Sequence, residues 1–152
     1  MFKHIKKFFK GSLHSASFNG DIEAVKRHLD AGEDVNEIDG GRTPLHVANL
    51  CGGRKEIVEL LIANGANVNK RDVRGSIPLH FSAWQGNKEI AELFIAKGAG
   101  VNTKNEDGET PLDWAKESSR DSSGLKSMKK EVADLLRKHG GKTSEELDAA
   151  GN

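Results

Sequence analysis

Apolar and polar positions along the chain fall into a unit that recurs four times. The third copy is the clearest. Gly75-Ser76-Ile77-Pro78-Leu79-His80 opens a short helical pattern that stops at Gly86, and Glu89-Ile90-Ala91-Glu92-Leu93-Phe94-Ile95-Ala96 forms a second, closed by Lys97-Gly98-Ala99. In the second helix the apolar residues take positions i, i+1, i+3 and i+4. Ile57, Val58, Leu60 and Leu61 become Ile90, Ala91, Leu93 and Phe94, then Val132, Ala133, Leu135 and Leu136, one face of a helix each time. Gly20, Gly52 and Gly86 end the first helices, and Gly65, Gly98 and Gly140 close the second, where a residue tolerant of positive φ is needed. A helix pair this short buries its apolar face only against a neighbouring pair, so the pattern predicts a stacked repeat architecture.

The period is 33 residues: Gly32, Gly65 and Gly98 keep it, while Gly140 follows 42 residues after Gly98 because the fourth unit carries a polar insertion. The leucines of the opening motif, Leu13, Leu45, Leu79 and Leu112, are spaced 32, 34 and 33. In Thr43-Pro44-Leu45-His46 and Thr110-Pro111-Leu112-Asp113 the threonine is placed to cap a helix whose first residue is proline. A 33-residue period with this motif resembles the ankyrin repeat family. The resemblance implies an all-α fold with short β-hairpins, an ankyrin-repeat solenoid, in which Val35-Asn36, Val68-Asn69 and Val101-Asn102 lead into the hairpins. It divides the chain into a basic amphipathic segment (1–11), a repeat domain (12–141) and a C-terminal capping tail (142–152). The repeats cover about 12–39, 40–72, 73–105 and 106–141, the last with its insertion near 118–126. His28 and Arg137, in place of core residues of the middle repeats, fit polar outer faces at the two ends. Ile77, in the place that the capping threonine takes in Thr43-Pro44 and Thr110-Pro111, is expected to cost about 1 kcal/mol.

Composition narrows the function. Lys and Arg number 23, as do Asp and Glu, so no bulk field draws the chain to nucleic acid. A mean hydropathy of −0.59 and the lack of a long apolar run argue against a spanning helix. Cys51 is the one cysteine, which fits a reducing compartment, and the basic start lacks the apolar stretch of a secretory signal. The expectation is a cytoplasmic, monomeric protein without a cofactor.

His14, His46 and His80 recur at one repeat position, with Asp113 in the fourth. A row of imidazoles suggests metal binding, but packed helices hold such positions about 10 Å apart, too far for one ion with nitrogen ligands at about 2 Å. The family resemblance implies instead that each histidine bonds a neighbouring hairpin backbone. No spacing of Ser, His, Asp or Cys points to a nucleophile, so the chain reads as no enzyme.

Ankyrin-type proteins bind partners on the side formed by hairpin tips and first helices, and the resemblance implies the same here. Five residues on from each motif leucine stand Phe18, Leu50, Trp84 and Glu117. The first three suggest an apolar stripe, with tryptophan the residue type most enriched at binding hot spots. Lys70, Arg71 and Arg74 make the second tip basic, Glu106 and Glu109 the third acidic, and Arg42 stands in the short first tip. The expected partner is another protein. An inhibitor or accessory subunit docking on an enzyme is the alternative.

The first ten residues alternate Phe2, Ile5, Phe8 and Phe9 with lysines including Lys6 and Lys7. Such a helix fits either a cap on the first repeat or an anchor on an anionic membrane surface, as in a membrane-peripheral adaptor. Its shortness favours the cap. The serine-rich stretch around Ser118–Gly124 reads as a loop.

Overall fold

The computed structural model describes residues 11–50 and 54–151; Phe2, Ile5, Lys6, Lys7, Phe8, Phe9, Cys51, Gly52 and Gly53 lie outside them. The chain separates into two compact units, Met1–Asn67 and Val68–Asn152, each holding two helix pairs. In the first, α1 (Leu13–Asn19) and α2 (Ile22–Asp30) are followed by α3 (Pro44–Leu50) and α4 (Lys55–Ala63). In the second, α5 (Pro78–Gln85) and α6 (Lys88–Ala96) precede α7 (Pro111–Trp114), α8 (Ser123–Lys138) and α9 (Ser144–Ala149). Among the described residues no named strand occurs. The first hairpin is reduced to an antiparallel bridge between Asp39 and Arg42.

Each core forms where the periodicity placed it. In the first unit α1 packs on α3 and α2 on α4, burying Leu13, Val25, Leu45, Ile57, Val58 and Leu61. In the second, α5 and α6 pack on each other and on α8, with Leu79, Ile90, Phe94, Val132 and Leu136 fully enclosed. The second helices end alike. Gly65 and Ala66 donate to the carbonyls of Ile62 and Leu61, and Gly98 and Ala99 repeat this with Ile95 and Phe94, two crossed bonds that use up exposed carbonyls.

The missing cap at Ile77 is compensated. Ile77 accepts no side-chain bond role and is wholly buried, so a lost cap of about 1 kcal/mol is set against burial worth about 1.5–3 kcal/mol.

Three features depart from the expected repeat. The first helix of the fourth repeat is cut to four residues, so Glu117 lies beyond it and does not share the helical position of Phe18, Leu50 and Trp84. The serine-rich insertion is only partly loop: Ser122 caps α8 by accepting from the Leu125 N–H, and the rest extends that helix to 16 residues. The tail forms α9, tied by Ser144 N–H to Asp113 (3.0 Å), Lys104 to Asp148 (2.7 Å) and Arg137 to Glu146.

The remaining loop is fastened from below by Lys129. Its buried ammonium donates to Asp121 Oδ2 at 2.8 Å and to the Lys116 carbonyl at 3.4 Å, while the same Asp121 oxygen accepts the Ser118 N–H at 2.8 Å. Lys129→Met should therefore speed hydrogen exchange at the Ser118 amide about tenfold or more while Phe94 stays protected. Equal exchange at Ser118 in both proteins would show that the lysine does not hold the loop.

Candidate functional site

The surface that could meet a partner is built on the backbone bookkeeping of the repeats. Asp72 Oδ1 accepts the N–H groups of Arg74 and Ser76, both at 2.9 Å, and so folds the second tip. Asn105 Oδ1 does the same for Asp107 and Glu109, both at 3.0 Å, and its amide donates to Ser76 Oγ at 3.2 Å. Both residues are buried, so Asn105 organises the acidic tip and is not presented by it.

The histidines anchor the tips to the helices. His80 Nδ1 accepts the Ile77 N–H at 3.1 Å, which leaves the proton on Nε2 to be donated to the Glu109 carbonyl at 3.0 Å. His14 Nε2 donates to the carbonyls of Glu37 and Arg42, both at 2.9 Å. In the fourth repeat Asp113 takes over the capping half, accepting the Thr110 N–H at 2.9 Å. The backbone role implied by the family resemblance is therefore the role His14 and His80 perform.

A second set of side chains joins the ends of successive repeats. Asn36 donates to the Gly65 carbonyl and accepts the Asn67 N–H within the first unit. Asn69 treats Gly98 and Gly100 in the same way, and Asn102 treats Gly140 and Lys142.

On this frame the predicted contact residues take different positions. Phe18, near the end of α1, is 48% exposed, and Leu50, at the end of α3, is half-buried. Trp84, near the end of α5 in the second unit, is 53% exposed. Of the tip residues, Arg74 and Glu106 are exposed and Lys70 half-buried. Arg71 is spent internally, donating to the carbonyls of Gly75 (3.1 Å) and Lys104 (2.8 Å). Glu109 is likewise engaged: its carboxylate accepts the Trp114 indole N–H at 3.1 Å. Arg42 contributes its backbone to the bridge with Asp39 and its carbonyl to His14.

Four residues play roles that were not anticipated. Trp114 stands edge-on to His80 and Phe81, with ring centres 5.3 and 5.1 Å away. Asp72 and Asn105 could have been found from their 33-residue spacing, shared with Asp39. Lys129 could have been found by extending the apolar stripe of Val132 and Leu136 back one turn. Among the described residues no group of three His, Cys, Asp or Glu side chains could hold a metal ion, and no helix is long and apolar enough to cross a membrane.

Burial lowers the pKa of His80 from 6.5, outweighing the bond to the Glu109 carbonyl that favours the charged ring. The unfolded chain thus binds a proton before the folded one, and the stability held above pH 6.5 is lost as pH falls below it. Burial pushes the Asp113 carboxyl up, but the Thr110 and Ser144 N–H groups hold it below its usual range, so its own loss comes at more acid pH. Between pH 7 and 5, His80→Gln should flatten the fall of the urea-unfolding free energy by up to about 1.4 kcal/mol per pH unit. Identical pH slopes for the two proteins would remove His80 as the cause.

A family model described as ankyrin repeats in three copies matches residues 13–105 and 53–144. Myotrophin of Xenopus tropicalis is 52% identical over 50 residues, 32% of this chain and 42% of that protein. Serine/threonine-protein kinase 12 of Arabidopsis thaliana is 48% identical over 60 residues, 39% of this chain and 13% of the kinase. The RelA-associated inhibitor of Mus musculus is 39% identical over 72 residues, 47% of this chain and 9% of that protein. Each match spans less than half of the relative. With the repeat period, the capped helix pairs and the histidine and asparagine ties in place, the chain belongs to the ankyrin repeat family.

Proposed function

We propose that this chain is a non-catalytic, cytoplasmic protein-binding module that engages its partner with the ends of its first helices and its hairpin tips. The observation that carries the reading is Trp84, a large aromatic side chain left 53% exposed on a helix whose preceding turns are buried. Phe18 occupies the matching position in the first repeat and is exposed to a similar degree. An indole held on a rigid helix adds contact area with little ordering cost, which suits a binding hot spot. Arg74 and Glu106 are the charged tip residues best placed to orient a partner, since they are exposed while Arg71 and Glu109 serve the fold.

The shared repeats support an interaction role, and one relative is named for inhibiting another protein, which makes a docking inhibitor the second reading. Neither requires chemistry from the chain itself.

Affinity capture from the source cell, with wild type and the Phe18→Glu, Leu50→Glu, Trp84→Glu triple variant side by side, identifies the partner that depends on this surface. For that partner Trp84→Ala should weaken binding at least about tenfold, with folding by circular dichroism unchanged. An affinity within about twofold of wild type would refute the role of Trp84.

A further inference from the structure

The tail helix is held by charge and not by burial. α9 carries no buried residue, and Leu147, its one large apolar side chain, is only half-buried. No other described helix packs along its length. Among the described residues, two ion pairs tie it to the second unit. Arg137, on α8, takes both oxygens of Glu146, with Nη2 to Oε1 at 2.6 Å, and Lys104 reaches Asp148 at 2.7 Å. The four side chains are 37–67% exposed. From residue 143 to 151 the charged residues are Glu145, Glu146 and Asp148, with no cation. A short acidic helix thus lies on two cations, with little apolar area to hold it there.

A third tie follows from the break in the histidine row. His80 donates its ring N–H to the Glu109 carbonyl of the next hairpin. Asp113, at the same repeat position, can only accept, so the chain beyond it has to offer an N–H. Ser144 does so at 3.0 Å. It is the first residue of α9, where backbone N–H groups have no helical partner. The chain just ahead is fastened separately. Lys142 donates its N–H to Asn102 at 2.8 Å, and its carbonyl accepts the Thr110 hydroxyl at 2.7 Å. A boundary between firmly bonded backbone and a charge-held helix therefore falls at Thr143.

We propose that α9 is an electrostatic strap: it closes on Lys104 and Arg137 at low ionic strength and swings free at Thr143 when those charges are screened or neutralised, while the repeats stay folded. Open, it bares the Asp113 carboxylate, whose side chain is 7% exposed in the closed form, and returns Lys104 and Arg137 to water. The outer end of the fourth repeat then has two states that differ in exposed charge. Exposed pairs of this kind are weak singly and screened by salt, so the strap responds to its surroundings and is not a permanent cap.

Residue-resolved amide hydrogen exchange of the full chain tests it, at one pH, in about 0.05 M and about 1 M sodium chloride; at the higher salt the screening length is about 3 Å. In wild type, high salt should speed exchange at Ser144 about fivefold or more and leave Lys142 and the core residue Phe94 unchanged. Glu146→Gln with Asp148→Asn should speed Ser144 by a similar factor at low salt and remove most of the salt response. Lys104→Glu alone should loosen Ser144 in the same way, and adding Asp148→Lys should restore it. Exchange at Ser144 that ignores both salt and these variants overturns the strap. So does exchange at Lys142 or Phe94 that rises with Ser144 by the same factor, because the repeat would then open as a whole. Failure of Asp148→Lys to restore the Lys104→Glu protein overturns the charge pairing on which the strap closes.

Discussion

Short helices leave most of their backbone polar groups without helical partners, and this fold depends on where those groups go. A helix of seven to nine residues, the length of α1 to α6, has four N–H groups and four carbonyls outside its own ladder. Burying them unpaired would cost more than the small cores could return. The chain meets the demand with side chains that serve two backbones at once. His80 takes an N–H from the start of its own helix and gives one to the next hairpin. Asn69 and Asn102 hold a carbonyl and an N–H at the end of the following repeat. Repeat spacing is thus set by hydrogen-bond geometry as much as by apolar contact.

The same economy explains why some of the charged tip residues are structural. Arg71 closes its own tip and touches the next, and Glu109 receives an indole from Trp114. A side chain with these partners has little to offer a ligand without loosening the hairpin beneath it. Arg74 and Glu106 stay exposed at the tips, and at the other end of the first helices the exposed Phe18 and Trp84 stand two residues before the glycine caps Gly20 and Gly86.

Much of the fold was legible because its cause is periodic. Glycines at 33-residue intervals marked the helix ends, and the i, i+1, i+3, i+4 apolar positions marked the buried faces. Thr43 and Thr110 marked helix starts, and Pro44 and Pro111 proved to be first helical residues. The candidate surface was less legible. Exposure of Phe18 and Trp84 followed from register, but the partial burial of Leu50 depends on neighbours no local pattern specifies. The insertion was hardest. A serine-rich stretch reads as loop, and its conversion into an extended α8 follows from the Ser122 cap and from Lys129 finding Asp121, a pairing across eight residues. Charge on a lysine suggested solvent where the apolar stripe of its helix led inward.

The aromatic residues give the molecule two separate optical reporters. There are two tryptophans and no tyrosine, so emission excited in the indole band, beyond phenylalanine absorption, comes from indoles alone. Trp84 faces water, and its emission will shift to the blue when something covers it. Trp114 holds a carboxylate through its N–H and lies edge-on to an imidazole, so its intensity follows the charge of His80 and the closure of the hairpin above. Occupancy of the outer surface and integrity of the repeat beneath it can therefore be followed in one spectrum, with no label added.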